Sequence, residues 1–277
     1  SNELGLFRQP YEKRVPKMKI KKNFPLIRDQ AKCIECMRCV QVCDKVQGMN
    51  VWDVSGTGSR TVIDVSHNRE IEDSDCTLCG QCITHCPVGA LREYDETDAV
   101  FDAIDDPKKI TVVQIAPAVR AAWGEPFGLK REDATVKRLV SALRQLGFDY
   151  IFDTNFAADL TIMEEGNELL KRLQEGDLDR YPMFTSCCPG WVRFLKGQYP
   201  ELTDRLSTAK SPQQMFGAMA KTYYAQILGV PADQIYTVSV MPCLAKKREA
   251  SLPTMNDSGT EHDVDVVLTT REIDRML

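Results

Sequence analysis

Ile110-Thr111-Val112-Val113-Gln114-Ile115-Ala116-Pro117-Ala118 is the stretch on which the fold turns. It is a short, β-branched apolar run closed by a proline, the pattern of a strand buried in a sheet. Downstream, Val136, Leu139, Val140, Leu143 and Leu146 recur at helical spacing between Glu132 and Leu146, with Gly147 as a stop. Tyr150-Ile151-Phe152-Asp153 reads as a second strand. Leu160 to Leu173 reads as a helix, with Leu160, Met163, Leu169, Leu170 and Leu173 as its core positions. Pro182 to Thr185 then leads into Cys187-Cys188. A helix over Pro212 to Leu228, a strand over Ile235 to Val240 running into Met241-Pro242-Cys243, a strand over Val264 to Leu268 and the start of a helix complete the series. Alternation of this kind predicts an α/β domain, a parallel sheet with crossover helices. Such sheets place sites beyond the carboxyl ends of their strands. The prediction therefore gathers Cys187-Cys188, Cys243 and Ala116-Pro117-Ala118 at one edge, each after a strand end.

Upstream the chain changes character. Cys33, Cys36, Cys39 and Cys43 form one run, and Cys76, Cys79, Cys82 and Cys86, followed by Pro87, form a second. This is the spacing of a bacterial two-cluster ferredoxin, in which the fourth cysteine of each run serves the other cluster. The expected sets are Cys33, Cys36, Cys39 with Cys86, and Cys76, Cys79, Cys82 with Cys43. Zinc sites instead use separated Cys-x2-Cys pairs. Asp44 stands where the first run would carry proline, leaving the ligands intact. His85, between two ligands, reads as a surface or packing residue. The boundaries expected are a basic linker over 1–28, an α+β ferredoxin-like domain with two 4Fe-4S clusters over 29–105, and a partial catalytic domain over 106–277.

Bulk properties narrow the class. The chain has 277 residues and a formal net charge of −5, which speaks against general nucleic-acid affinity. Residues 1–32 nonetheless hold nine Lys and Arg against Glu3, Glu12 and Asp29. That basic arm suits either a solvated linker or docking to an acidic partner such as a ferredoxin. No apolar stretch approaches the roughly 20 residues of a membrane helix, and no export signal is visible. Cysteines at metal-ligand spacing without an export signal point to a reducing cytoplasm.

Three of the eleven cysteines lie outside the runs: Cys187, Cys188 and Cys243. Adjacent cysteines do not readily bind one metal, so Cys187-Cys188 is expected to supply one ligand and one free thiol. Pro189 opens a helix after them, and the positive end of a helix favours a thiolate. Lys246, one turn beyond Cys243, is placed to face the same sulfur. The bland alternative is three buried structural cysteines.

Thr185-Ser186-Cys187-Cys188-Pro189-Gly190-Trp191 and Met241-Pro242-Cys243-Leu244-Ala245-Lys246-Lys247-Arg248-Glu249 resemble two signatures of the iron-only (FeFe) hydrogenases. The resemblance extends through Asp159 to Glu165, Ala209 to Gln214 and the double ferredoxin run. It implies an active-site H-cluster, a cubane joined to a two-iron unit bearing CO, cyanide and a dithiolate. By resemblance Cys188 and Cys243 are cubane ligands and Cys187 is the free thiol that passes protons. Lys246 donates to a cyanide, Gln213 and the backbone at Pro117 and Ala118 meet other diatomic ligands, and Met241 packs beside the cluster. Glu165, Ser207 and Glu168 match the family's proton path, with Arg172 near its mouth. Read without the resemblance, the two glutamates are a solvated helix face.

The implied reaction is the reversible reduction of protons to H2. The implied partners are a ferredoxin or an NAD(P)H-oxidising flavoprotein subunit. No cysteine follows Cys243, so two of the four implied cubane ligands are absent. The chain therefore reads as a piece of a longer enzyme, completed by a carboxy-terminal part of the same domain. The rival classes are a non-catalytic electron-transfer or sensing module and an iron-sulfur assembly scaffold related to hydrogenases.

Overall fold

In the computed structural model, residues 24–277 are described. They form two compact units. The first runs to Ser74 and includes Gln81–Glu93; the second comprises Asp75–Gly80 and Tyr94–Leu277. Most of the basic arm lies outside the described residues. Its last part is not a linker: Phe24, Leu26 and Ile27 are buried, and Leu26–Arg28 is a strand. The second boundary also moves, because Tyr94 to Asp105 groups with the sheet unit and Cys76 and Cys79 lie in the segment Asp75–Gly80.

The first unit is short of regular structure. Strand β1 (Leu26–Arg28) is followed by α1 (Arg38–Gln41), then by the hairpin strands β2 (Trp52–Ser55) and β3 (Val62–Val65), helix α2 (Gln81–Thr84) and strand β4 (Leu91–Glu93). β1 pairs antiparallel with β4, and β2 with β3. Arg28 joins the two ribbons, donating to the Ile63 carbonyl at 3.0 Å and pairing with Asp64. The hairpin turn needs glycine at position 56: φ is +77°, and a Cβ there would lie 2.2 Å from the Arg60 carbonyl oxygen.

The second unit is the expected parallel sheet. Helix α3 (Thr97–Asp105) precedes strand β5 (Ile110–Ile115), the run that decided the fold, and α4 (Pro117–Ala122). Helix α5 (Val136–Leu146), strand β6 (Tyr150–Asp153), α6 (Asn155–Glu175), α7 (Pro189–Gln198) and α8 (Pro212–Met219) follow. A wide helical turn, Ala220–Tyr224, continues α8 into α9 (Ala225–Leu228). Strand β7 (Ile235–Val240), α10 (Ala245–Ala250), β8 (Val266–Leu268) and α11 (Thr270–Met276) close the unit. The strand order is β6-β5-β7-β8, with every neighbouring pair parallel.

The two faces of the sheet follow from alternation along its strands. Val113, Ile115, Val238 and Val240 join Leu139 and Leu143 of α5 and Ile273 of α11 in one core cluster. Val112 and Ile235 pack on the other face with Ala157 of α6 and Phe216 of α8. Helix α5 stops at Gly147 as its sequence predicts, but it starts at Val136, after Thr135, and not at Glu132. The Thr135 side chain accepts from Arg138 N–H, and Gly147 takes the left-handed conformation.

Helix α6 reverses its expected orientation. Met163, Leu170 and Leu173 are exposed, whereas Ala157, Thr161 and Arg172 are buried. The face carrying residues 157, 161, 165, 168 and 172 turns inward, so polar side chains point into the protein, while of the expected core leucines Leu160 and Leu169 are half-buried and Leu170 and Leu173 point out. Val136, expected in the core, is also exposed.

Candidate active site

Each Cys-x2-Cys loop of the two runs is bent at matching positions. Glu35 and Met37 in the first run, and Leu78 and Gly80 in the second, all have positive φ. Left-handed residues curl the loop so that successive thiols converge, and three of these four are not glycine. In the first unit Cys33, Cys36, Cys39 and Cys86 line one cavity with Ile34, Met37 and Trp52. Among the described residues no three metal-binding side chains approach closely enough for one metal ion. The four thiols instead ring a hollow, as a body larger than an ion requires. Burial pushes the Cys39 thiol up to about 11. Burial also acts to raise Cys86, but the backbone N–H groups of Leu91, Val88, Ala90 and Gly89 outweigh it and hold this thiol below its ordinary range. A sulfur that collects four backbone donors suits a thiolate ligand. Of the remaining four run cysteines, Cys43, Cys76 and Cys82 are buried and Cys79 is exposed.

In the second unit Cys188 approaches Cys243, and the Cys187 backbone carbonyl joins them through Lys246. Cys243 follows β7 as expected. Cys187-Cys188 does not follow a sheet strand: the segment before it makes only one parallel bridge, Phe184 to Leu206. It reaches the site because Cys188 is the N-cap of α7, its sulfur accepting from Trp191 N–H at 3.5 Å. Gly190 lets the first turn of α7 lie close to the Thr77 carbonyl, since a Cβ there would stand 3.1 Å from that oxygen, while the Cys188 sulfur and Ala245 of α10, at 3.8 Å, are in ordinary contact range. Burial raises the Cys243 thiol, and the neighbouring Cys188 adds to the rise, while backbone N–H groups and Lys246 oppose it.

Lys246 is buried. Its Nζ donates to the Cys187 carbonyl at 2.8 Å and to Glu249 Oε2 at 2.9 Å. Gln213, also buried, donates through Nε2 to the Lys246 carbonyl at 3.2 Å, and its Oε1 has no partner. A buried, unpartnered amide oxygen marks a place where a polar group is wanted. Met241 is buried at the end of β7, and Pro117 and Ala118 begin α4 at the same edge of the sheet, where both are exposed.

The inward face of α6 reaches this region. Glu165 Oε1 accepts from Ser186 N–H at 3.3 Å, directly beside Cys187. Ser207 Oγ donates to Glu168 Oε2 at 2.8 Å, and Thr208 N–H donates to the same oxygen at 2.9 Å. Arg172 closes the other side of Glu168 and donates to the Leu206 carbonyl at 2.8 Å. Burial acts to raise the Glu168 carboxyl, but Thr208, Ser207 and Arg172 together hold it below the usual range.

Four residues of this constellation escape sequence reasoning. Glu249 and Ser211 bind one another, with Ser211 Oγ donating to Glu249 Oε2 at 2.9 Å. Gln114, buried in mid-strand, donates to the Gln213 carbonyl at 3.0 Å and to Ser239 Oγ at 2.7 Å. The i,i+3 spacing of Lys246 and Glu249 was a readable signal for one of these contacts. An isolated glutamine in a β-branched strand carries none.

Fold and site together define an iron-sulfur protein whose parallel sheet presents thiols and a buried lysine at its carboxyl edge. Residues 109–277 match the family described as iron only hydrogenase large subunit, C-terminal domain, and residues 32–90 match a 4Fe-4S dicluster domain. The chain belongs to the iron-only hydrogenase family. It is 49% identical to the NADP-reducing hydrogenase subunit HndD of Solidesulfovibrio fructosivorans, over 91% of this chain and 44% of that protein. It is 34% identical to cytosolic iron-sulfur assembly component 3 of Rattus norvegicus, over 74% of this chain and 45% of that protein. A variant of the [FeFe]-hydrogenase HydA1 from Chlamydomonas reinhardtii matches in structure with a TM-score of 0.62 and 43% identity, covering 66% of this chain and 47% of that one. The chain thus spans less than half the length of each of these relatives. Its dicluster domain makes 4Fe-4S clusters its cofactors. Among the described residues no helix is long and apolar enough to cross a membrane.

Proposed function

We propose that this chain is the part of an iron-only hydrogenase that carries electrons inward and supplies half of the active-site shell. The observation that carries the reading is the meeting of Cys187, Cys188, Cys243 and Lys246 at one edge of the sheet, with a proton-bearing helix face behind them. In the complete enzyme the H-cluster would supply the iron centre at which protons and electrons combine. The eight cysteines of the two runs form the electron route.

Cys188 and Cys243 act as ligands, and Cys187 is the thiol that holds and releases a proton. Glu165, tied to Ser186 beside that thiol, continues the route, and the Ser207–Glu168 hydrogen bond extends it toward solvent. Lys246 presents a charge-assisted donor to one diatomic ligand, and Gln213 contacts another. Met241 excludes water beside them, and at the N-terminus of α4 Pro117, which has no N–H, is followed by Ala118, which contributes a backbone donor. The remaining cubane ligands come from the portion of the relatives that this chain does not span. That portion would also cover the apolar stripe of α6, where Met163, Leu170 and Leu173 are exposed.

Electrons enter from a ferredoxin or from an NAD(P)H-oxidising subunit, a choice supported by the likeness to the NADP-reducing relative. The second reading, an assembly scaffold, has the support of the assembly-component likeness. It has no use for a proton relay or a cyanide donor, and both sets of residues are present. Infrared spectroscopy of the anaerobically matured full-length protein tests the choice. CO and cyanide stretching bands are the expected result, and their absence would overturn the hydrogenase reading in favour of the scaffold.

A further inference from the structure

We propose that Glu249 is a positioning residue that fixes the direction of the Lys246 ammonium and, through Gln213 and Ser211, locks the donor side of the site into one arrangement. The inference rests on the hydrogenase reading of the site and extends it to a carboxylate that the reading does not use.

Glu249 is 5% exposed, and one of its oxygens gathers three donors. Lys246 Nζ stands at 2.9 Å, Ser211 Oγ at 2.9 Å and Gln213 Nε2 at 3.4 Å, all on Oε2. These donors come from the segment opening α8 and from α10 itself, so the carboxylate joins two elements that meet at the sheet edge. A buried ammonium is costly without a countercharge, and here the countercharge sits one helical turn away.

An ammonium has three hydrogens. The Cys187 carbonyl and Glu249 take two, at an acceptor fixed by the loop and an acceptor fixed by the helix. The third is left with one direction, set by the other two. Without Glu249 the side chain would hold a single anchor and rotate about it, and the donor offered to an anionic ligand would lose its aim. Gln213 is fixed by the same logic. Its backbone carbonyl is held by Gln114 and its Nε2 by Glu249 and the Lys246 carbonyl, so its unpartnered Oε1 has a set position. Lys247, the next residue, takes no part. It turns to Glu96, Glu272 and the Val267 carbonyl.

Two measurements test the proposal. In the present chain, the acylation rate of Lys246 by an amine-reactive ester, read by mass spectrometry, should rise about tenfold or more in Glu249→Ala and Glu249→Gln. It should return toward the parent rate in Glu249→Asp. Lys247, whose partners are untouched, serves as the internal control for an intact fold. In the matured full-length enzyme, Glu249→Gln should retain the CO and cyanide bands but displace the cyanide bands, with Glu249→Asp closer to the parent. Unchanged Lys246 labelling in both Glu249→Ala and Glu249→Gln would overturn the proposal, as would cyanide bands unmoved by Glu249→Gln. Parent enzyme without any such bands would overturn the hydrogenase reading alone, and the labelling comparison would still decide whether Glu249 holds Lys246.

Discussion

The two units of this chain reach order by different means. The sheet unit has a continuous apolar core in which β5 and β7 are covered on both faces. The cysteine unit has two-stranded ribbons and four-residue helices, elements that are marginal on their own in water. Four of its thiols line one cavity. The sheet unit is held by what its long strands and helices bury, whereas the cysteine unit sets a smaller group of buried apolar residues, Phe24, Val51, Trp52 and Ile63 among them, beside thiols spaced for a cofactor. The difference teaches where to look in each sequence, at periodicity in the first case and at ligand spacing in the second.

The contrast can be broken in several ways, beginning with the largest effect. Cys187→Ser in the matured full-length enzyme should leave the iron content intact and lower turnover by about a hundredfold or more, on the scale of lost general acid-base catalysis. Loss of iron instead would exchange the roles of Cys187 and Cys188. Anaerobic removal of iron from the present chain should abolish amide protection in β1 to β4 while leaving β5 and β7 protected, as hydrogen exchange would show. Protection surviving in both units would mean that the cysteine unit folds without its clusters.

The reverse experiment is Leu143→Ala. It should destabilise the sheet unit by about 2–5 kcal/mol, measured by denaturant unfolding, with no change in iron bound by Cys33, Cys36, Cys39 and Cys86. Gly56→Ala strikes the cysteine unit through its backbone alone. It should cost about 1–3 kcal/mol there and leave the sheet unit unmoved.

The smallest effect concerns Glu168, whose carboxyl is held below its ordinary range in the folded protein. Its contribution to stability is therefore present above the unfolded carboxyl value and is lost as pH falls through the lower, folded one. Ser207→Ala should weaken that hold, so the variant should lose thermal stability at a higher pH than the parent does. Coincident acid profiles would show that the hydrogen bond from Ser207 does not hold the carboxylate.

β5 and β7 were legible because burial on both faces demands β-branched runs, and the edge strand β6, half-buried along its length, falls at Tyr150-Ile151-Phe152-Asp153 as read. Ligand spacing foretold Cys33, Cys36, Cys39 and Cys86 around one cavity. Helix α6 misled because the usual rule puts leucines inside, whereas here Glu165, Glu168 and Arg172 occupy the inward face. Their hydrogen bonds come from Ser186, Ser207 and Thr208, residues distant in the chain, so no local pattern announces them. The approach of Cys188 to Cys243 was expected for a wrong reason. Cys243 does sit after a strand end, but Cys188 is brought to it by the start of α7 and not by a strand.

Helix α10 carries a final consequence. Successive residues on a helix are turned by about 100°, and here that rotation divides two adjacent lysines between different tasks. Lys246 faces Cys187, while Lys247 anchors Glu96 and Glu272. Losing one residue between Cys243 and Lys246 would put Lys247 where Lys246 stands, and gaining one would put Lys246 where Lys247 stands; either change leaves one of the two tasks without its ammonium, although the composition would hardly change. This short segment is thus a spacer of fixed length, able to absorb some substitutions but no insertion or deletion.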